Sequence, residues 1–381
     1  MAKHSRFLFV TFDAGGNVPP LLGLVRRLVH RGHEVRVLGT STLAARVTDS
    51  GGIFRAFTLA RDQGPSPGLT IEDALPELIA FMCSLELAQD VAREVQTADA
   101  LVVDCMLAAA LLAGERSEVP TAALVHLSYR WWVEDAFVTA GMGPAMLPLL
   151  NQTVSGLGLQ SLDPNISLTA QLLDRATMAL AVTLEQFDYP LAAPHPNLRY
   201  VGPVIDEESL SWEPPGHPLV VLSFSTTYMR QEDALRRALE EVGNLDVHAV
   251  CTLGNILTRE TFQAPANALI YDWLPHGAVL PHAAAVVTHG GHSTVMAALA
   301  HGVPLVCMPM GRDQHTNAER VAKLGVGRAI SDGATSVEIR DAIHEVLTKE
   351  TYRNAAHRMA AAITALGRGE RAVMELEALL V

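Results

Sequence analysis

Short apolar runs of strand length alternate with amphipathic helical stretches from the start of the chain. Residues 7–12 form such a run, polar turn residues 13–17 follow it, and apolar positions then recur with helical period until Gly32. A second apolar run at residues 34–38 completes a strand–helix–strand unit. Because strands joined in this way run parallel, we expect the turn at residues 13–17 to lie at the carboxyl edge of a sheet.

The alternation is interrupted once by prolines and acidic residues, between Val201 and Gly216, and then restarts at residues 219–223. Two sets of strand–helix repeats predict an α/β protein with two doubly wound, Rossmann-like domains facing a cleft. We place these domains at residues 1–205 and 218–381, with a linker at 206–217 and a helical tail at the C-terminus.

Residues 281–317 combine predicted strands and helices with a glycine-rich turn. An apolar run at residues 284–288 predicts a strand, the turn His289-Gly290-Gly291 follows it, and the next residues are helical, with Ser293 and Thr294 as candidate N-caps. A glycine-rich turn before a helix presents unpaired backbone N–H groups and the positive end of the helix dipole. The pattern therefore predicts a ligand with a phosphate at residues 289–294.

Composition and charge exclude several classes of partner. With 49% hydrophobic and 18% charged residues among 381, the chain is an ordered globular protein. A net charge of −13 without a basic cluster argues against nucleic acid and anionic membranes as partners. No apolar run reaches the roughly 20 residues of a membrane span, and the N-terminal one is too short for a signal peptide. We expect a cytoplasmic protein without stable membrane insertion.

The sequence shows no recognisable metal site. The four cysteines are scattered without metal-ligand spacing, and three of them stand in apolar surroundings, so we expect buried, reduced thiols at Cys83, Cys105, Cys251 and Cys307. No Asp-x-Asp pair is present for a metal-bound nucleotide. The chain also lacks GxxxxGK[ST], and no GxGxxG follows its first strand, which disfavours P-loop enzymes and dinucleotide oxidoreductases.

A set of motifs resembles the donor signature of family 1 glycosyltransferases. The matching motifs, in order, are Trp273-Leu274-Pro275-His276, Leu280-Pro281-His282, Thr288-His289-Gly290-Gly291-His292-Ser293-Thr294, Gly302-Val303-Pro304 and Asp313-Gln314 with Asn317-Ala318. The similarity extends over essentially the whole chain and is greatest to the bacterial branch that glycosylates antibiotics and other natural products. It implies the GT-B fold and transfer of a sugar from a nucleotide-sugar donor.

The resemblance assigns a role to each donor-binding position. Trp273 would stack on the nucleobase, unless it is a core or interface tryptophan. His289, a structural histidine on the alternative interpretation, would hold the diphosphate with Gly291, Ser293 and Thr294, and together with the helix dipole it would neutralise this leaving group. Asp313 and Gln314 would bind the sugar hydroxyls, although Asp313 would serve equally well as an N-cap. The further donor-binding positions carried over are Thr226, Leu274 and His276.

Two departures from the family bear on the donor. Ser225 stands where the family usually has glycine, which weakens the expected contact of Thr226 with the phosphates. Ala297 stands where many members have a glutamate that binds both ribose hydroxyls. A donor that lacks the 2′-hydroxyl does not need this acceptor, so we favour a dTDP-sugar over a UDP-sugar.

The motif does not supply the catalytic base directly, because Asn17 occupies the position of the family's histidine in Gly-x-His-x-x-Pro, and an amide is not a base. Asp104 matches the carboxylate that orients this histidine. We rank Asp104 or Asp13 first as the base, with Asn17 positioning the acceptor. His126 is the second candidate, although a satisfied histidine at a strand end is the more frequent case. A weak or inactive relative that needs a partner protein is the third interpretation.

Apolar residues of the first domain suggest where the acceptor binds. Residues 129–158 look irregular and are rich in aromatic and methionine side chains, which suit an adaptable pocket. The expected acceptor-binding residues are Phe81, Met82, Trp131, Trp132, Phe137, Met142 and Met146, with interdomain packing as the alternative interpretation. A hydrophobic small-molecule aglycone fits these residues better than a protein or a polysaccharide.

These expectations combine into one function with two alternatives. The favoured function is metal-independent, inverting transfer of a sugar, with a deoxysugar preferred, from a nucleotide diphosphate to a hydroxyl of a hydrophobic natural product. No cofactor is expected, and a homodimer is left open. One alternative is a catalytically poor glycosyltransferase-like auxiliary protein that binds nucleotide-sugar. The other is a nucleotide-sugar epimerase or hydrolase of similar architecture.

Overall fold

The computed structural model describes residues 4–61, 73–188, 195–205, 210–224, 226–254 and 256–380. These residues fold into two compact units that adjoin in sequence at Val204 and Ile205. The second unit extends from Ile205 to Arg368, and the chain from Gly369 onward belongs to the first unit. Residues 206–209 of the expected linker lie outside the described residues.

The first unit is built on a parallel sheet of seven strands in the order β3-β2-β1-β4-β5-β6-β7. Its strands are β1 (Arg6–Val10), β2 (Glu34–Gly39), β3 (Ile53–Ala56), β4 (Ala100–Asp104), β5 (Thr121–Val125), β6 (Met178–Ala181) and β7 (Leu198–Tyr200). The central strands β4 and β5 are buried along their whole length, as expected for apolar runs in a parallel sheet.

Helices cover the first sheet. They are α1 (Val18–His30), α2 (Ala44–Asp49), α3 (Leu75–Met82), α4 (Leu85–Glu94), α5 (Ala108–Ser117), α6 (Tyr129–Glu134), α7 (Gly143–Leu157), α8 (Leu168–Asp174) and α9 (Glu185–Asp188). A π-helical turn, Phe137–Met142, precedes α7. The expectation of an irregular segment at residues 129–158 is therefore wrong, because the apolar positions of this segment follow helical spacing and bury one face.

The second unit contains a six-stranded parallel sheet in the order β10-β9-β8-β11-β12-β13. Its strands are β8 (Leu219–Ser223), β9 (His248–Thr252), β10 (Ala268–Tyr271), β11 (Ala283–Thr288), β12 (Leu305–Cys307) and β13 (Gly327–Ala329). Its helices are α10 (Glu232–Val242), α11 (His276–Val279), α12 (His292–Ala300), α13 (Gln314–Lys323), α14 (Ser336–Thr348) and α15 (Glu350–Ala365). The two doubly wound parallel sheets confirm the predicted fold class.

The last helix, α16 (Glu370–Ala378), differs from the expected domain assignment. It was expected in the second domain, but it packs on α1 of the first unit, where Ala372, Val373 and Leu376 are fully buried in the same apolar cluster as Leu21. Arg31 of α1 also pairs with Glu370 and Glu377. The chain returns to the first unit after a break at Gly367–Gly369, where the backbone leaves the helical region.

Candidate functional site

Three loops of the second unit meet at the carboxyl edge of its sheet. They follow β8, β11 and β12, which are neighbouring strands, and the chain reverses its direction across the sheet between β8 and β11. Ligands of open parallel sheets bind at such a switch point. The loops carry, in turn, Thr226 and Thr227, the turn His289-Gly290-Gly291, and residues 311–314. The structure therefore brings most of the predicted donor residues together.

The glycine turn has a geometry that side chains at its glycine positions would disturb. Gly290 has a φ of 84°, in the left-handed region that favours glycine. A Cβ on Gly291 would lie 2.4 Å from Nε2 of His289, so the imidazole lies against the backbone where α12 begins. Gly291 is also the N-cap residue, and the expected caps Ser293 and Thr294 lie instead within the first turn of the helix. The turn presents the helix N-terminus and the imidazole together.

Two histidines at this edge are neutral. Burial and the nearby charge of Arg312 lower the pKa of His289 to about 3. Burial and His301 lower the pKa of His276 to about 4, and its Nε2 lies 3.1 Å from the hydroxyl of Ser223. The expectation that His289 would neutralise a diphosphate needs correction, because in the free protein this histidine is an uncharged hydrogen-bonding group.

Trp273 and Leu274 have opposite environments. Trp273 is 53% exposed, which excludes the core alternative and leaves the face of its indole accessible for stacking. Leu274 is 6% exposed and contributes to packing. Its expected donor contact has no support in the geometry.

The predicted sugar-binding pair is partly occupied by contacts within the protein. The carbonyl oxygen of the buried Gln314 side chain accepts the backbone N–H of Met310, and its amide nitrogen lies 3.0 Å from Sδ of Met229. The carboxylate of Asp313 accepts a hydrogen bond from Nδ2 of Asn317 and makes no side-chain N-cap bond. Asp313 therefore occupies the N-cap position of α13, as the alternative weighed above expected, but its carboxylate does not cap the helix.

The sequence reasoning overlooked Arg312. This residue has a φ of 52°, in the left-handed region, and its Nη2 donates a 2.6 Å hydrogen bond to Oγ1 of Thr227. The available signal was a lone cation between Gly311 and Asp313, in the loop of a predicted anion site. Thr226 lies beside Thr227 in the chain, and Ser225 lies outside the described residues.

The first unit has its own polar cluster at a carboxyl edge. Asn17 follows β1, Asp104 ends β4 and His126 follows β5, and these three strands are neighbours. One carboxylate oxygen of Asp104 accepts hydrogen bonds from Nδ2 of Asn17 at 2.8 Å and from Oγ1 of Thr11 at 3.3 Å. The other accepts from the backbone N–H of Met106 and lies 3.0 Å from Nε2 of His126.

Asp104 and His126 form a coupled pair. Burial alone would lower the pKa of His126, but the charge of Asp104 and the contact with Cys105 raise it well above its usual range. Burial opposes ionisation of Asp104, but the charge of His126 and the hydrogen bonds from His126, Asn17 and Met106 outweigh it, so the pKa of this carboxyl is lowered. Cys105 lies beside the pair, and burial raises the pKa of its thiol.

Asn17 and Asp13 are both engaged in the turn after β1. The Nδ2 of Asn17 also donates to the carbonyl of Phe12 at 2.7 Å, and its Oδ1 accepts the N–H of Ala14. The carboxylate of Asp13 accepts from the N–H of Gly15 and from the hydroxyl of Thr42. Asn17 therefore positions Asp104, and its amide protons are already used by the protein, contrary to the expected role of positioning the acceptor.

The expected acceptor residues lie mostly in the core of the first unit. Phe137 is the exposed member at 42%, and its ring stacks on Trp131. The others are buried in one apolar cluster, namely Phe81, Met82, Trp131, Trp132, Met142 and Met146. Their helical segments turn these side chains inward, so packing accounts for their positions. Contact with an acceptor stays a prediction.

Residues 236–379 match the model of the erythromycin biosynthesis protein CIII-like C-terminal domain. The whole chain is similar to 4′-demethylrebeccamycin synthase of Lentzea aerocolonigenes, at 28% identity over 93% of this chain and 94% of that protein. It is also 28% identical to demethyllactenocin mycarosyltransferase of Streptomyces fradiae, over 99% of this chain and 87% of that enzyme. The chain is thus similar over most of its length to named glycosyltransferases, and its two parallel sheets have the arrangement of the GT-B fold.

Solved glycosyltransferase structures share this fold. The calicheamicin glycosyltransferase CalG4 superposes with a TM-score of 0.81 at 23% identity, covering 99% of this chain and 98% of CalG4. Glycosyltransferase VinC, solved in complex with dTDP, superposes with a TM-score of 0.74 at 20% identity, covering 98% and 99% of the two chains. Across the described residues of the chain, no helix has the length and apolar character needed to span a bilayer.

Proposed function

We propose that this protein moves a sugar, with inversion, from a nucleotide diphosphate to a hydroxyl of a hydrophobic natural-product aglycone. The observation that carries the proposal is the meeting of the loops after β8, β11 and β12 around a helix N-terminus, with Trp273 exposed after β10 at the same carboxyl edge of the sheet. Backbone N–H groups and the dipole of α12 suit the diphosphate, and the indole suits the base.

The base of this reaction is His126, oriented by Asp104. Asp104 is 2% exposed and both its oxygens already accept hydrogen bonds, so it is poorly placed to take a proton from an acceptor. His126 is partly exposed, and its Nε2 is engaged with Asp104. An imidazole held by a carboxylate is the arrangement that general-base catalysis requires. This pairing supports an active enzyme over an inactive auxiliary protein, for which the absence of a histidine at Asn17 was the main argument.

In the proposed step, His126 accepts the proton of the acceptor hydroxyl while the oxygen attacks the anomeric carbon. The bond between this carbon and the diphosphate oxygen breaks, and the diphosphate leaves with the electron pair. A single displacement of this kind inverts the anomeric centre. The nucleoside diphosphate gains one negative charge, which the protein must stabilise.

The donor is proposed to be a dTDP-sugar, with a deoxysugar favoured and a UDP-sugar as the second choice. Ala297 lies within α12, where its methyl group offers no acceptor for a ribose 2′-hydroxyl. VinC and the spinosyn rhamnosyltransferase SpnG were both solved with thymidine diphosphate. The two relatives named above suggest antibiotic-type aglycones.

The test is turnover with matched dTDP- and UDP-sugars and a panel of polycyclic and macrocyclic alcohols, with products identified by mass spectrometry and anomeric configuration by NMR. We expect transfer to at least one acceptor, higher kcat/KM with dTDP donors, and full activity in a chelator. Equal use of the two donors would refute the donor preference, and activity lost in chelator but restored by Mg²⁺ would refute metal independence.

Variants of two tryptophans make the test specific to the site. Trp273→Ala should weaken nucleotide binding by about tenfold or more, because base stacking on an aromatic ring contributes roughly 1–3 kcal/mol. Trp212→Ala is the matched control, because the half-buried indole of Trp212 lies in the same unit and donates a hydrogen bond to the hydroxyl of Tyr271. Donor cleavage at an equal rate without any acceptor would favour the hydrolase alternative.

A further inference from the structure

Two histidines lie at the edge of the proposed diphosphate site of the second unit, and neither supplies a positive charge in the free protein. His289 and His276 are buried and neutral in the free protein. Departure of the diphosphate adds a negative charge at this position, and without a metal the charge must be met by protein groups. A role for protein groups in stabilising this charge rests on the proposed function, because both concern the same site.

Arg312 is placed to meet this charge. Its guanidinium donates to Oγ1 of Thr227 at 2.6 Å, so it extends from the loop after β12 to the loop after β8. Its charge also contributes to the lowered pKa of His289. The guanidinium thus links the loops after β8 and β12, whose strands flank β11 and its glycine turn.

The backbone of Arg312 supports a functional position. A φ of 52° is unusual for a residue with a side chain, and such conformations persist where surrounding contacts hold them. Nδ2 of Asn317, in α13, donates to the carboxylate of the next residue, Asp313, and to the carbonyl of Gly290. This bond ties the Arg312 loop directly to the glycine turn.

We propose that Arg312 binds the diphosphate of the donor and stabilises the charge that develops on it as the sugar leaves. A guanidinium offers several N–H donors, so it can keep its bond to Thr227 while others contact phosphate oxygens. The interaction is stronger with the released nucleoside diphosphate than with the nucleotide-sugar, because the product carries one more negative charge.

The test compares wild type, Arg312→Gln and Arg312→Lys by calorimetric titration with dTDP and by steady-state kinetics. We expect Arg312→Gln to lose at least tenfold in dTDP affinity and about 10²–10³-fold in kcat/KM. Arg312→Lys should recover part of both losses, since it retains the charge. Thymidine, followed by ligand-observed NMR, should bind Arg312→Gln and wild type equally.

Two further variants separate charge from structure. Thr227→Val breaks the bond to Arg312 but keeps the cation, so it should bind dTDP better than Arg312→Gln does. Arg236→Gln removes an exposed cation of α10 that pairs with Asp233, and it should match wild type. If Thr227→Val and Arg312→Gln lose the same affinity, or if Arg312→Gln binds dTDP as wild type does, the proposal is overturned. Wild type that binds no nucleotide would instead overturn the proposed function, and this inference with it.

Discussion

Nε2 of His126 lies 3.0 Å from Oδ1 of Asp104, at the ends of two neighbouring strands. The family motif places a histidine where this chain has Asn17. Here the histidine next to Asp104 is instead the residue after β5. The carboxylate is held by three further donors, on Asn17, Thr11 and Met106, so its orientation toward the imidazole is fixed. The pair has the two components of a general base, with the carboxylate where the motif predicts it and the histidine after β5 instead of after β1.

The pH dependence of the rate should follow His126. The pKa of this imidazole is raised above 6.5, and only its neutral form accepts a proton, so kcat/KM should rise with pH through a value above 6.5. Asp104→Asn removes the charge that raises the pKa, so the acidic limb should move to lower pH while the maximal rate falls. Rates measured across pH with a saturating donor give both quantities.

His126→Gln should lower kcat by about 10²–10⁴-fold, with dTDP affinity unchanged. A control is His195→Gln, because His195 pairs with Asp174 in the same unit at a partly buried position away from β4 and β5. Near-normal turnover of His126→Gln, or an unshifted acidic limb in Asp104→Asn, would show that another group accepts the proton.

The base can be moved to the position that the motif predicts. Nδ2 of Asn17 lies 2.8 Å from Oδ2 of Asp104, the oxygen that His126 does not use. A histidine placed there can pair with the same carboxylate. Asn17→His in the His126→Gln background should therefore raise kcat at least tenfold above that of His126→Gln alone, which is part of the roughly 10²–10⁴-fold that a general base contributes. Asn17→Ala in the same background is the control and should restore none. A folded, dTDP-binding double variant without recovery would contradict the shared role of Asp104.

The sequence predicted the second unit's site more completely than the first unit's. His289 and Gly291 directly follow a recognisable strand, so their position at the sheet edge could be deduced from local pattern. His126 is separated from Asp104 by 22 residues, and their contact depends on the pairing of β4 with β5, which local periodicity does not specify. Arg312 was missed because its position depends on a left-handed backbone conformation that sequence pattern does not reveal.

Burial was the other property that the sequence did not determine. Trp273 and Trp131 are both tryptophans beside polar residues, yet one is 53% exposed and the other 6%. The difference arises because Trp131 lies on a helix whose apolar face packs into the first unit, whereas Trp273 follows the edge strand β10. Composition alone therefore predicted an acceptor pocket where the structure shows mainly core.

Gly291→Ala should disable donor binding with a small effect on folding. The added Cβ would lie 2.4 Å from Nε2 of His289, so either the imidazole or the start of α12 must move. We expect dTDP affinity to fall at least tenfold, and the cost in stability to be about 1–3 kcal/mol. Gly333→Ala is the control, since the nearest atom to its Cβ is 3.6 Å away. Equal dTDP affinity in the two variants would contradict the geometry of the turn.

Leu376→Ala should destabilise the first unit, although it lies near the end of the chain. Leu376 is fully buried in the cluster that contains Leu21 of α1, and removal of such a side chain costs about 2–5 kcal/mol. Denaturant unfolding followed by tryptophan fluorescence reports this, because Trp131 and Trp132 are buried in the first unit. Met374→Ala, at a position 54% exposed on the same helix, should change stability by less than about 0.5 kcal/mol. If the two variants unfold at the same denaturant concentration, α16 does not contribute to the first unit's core.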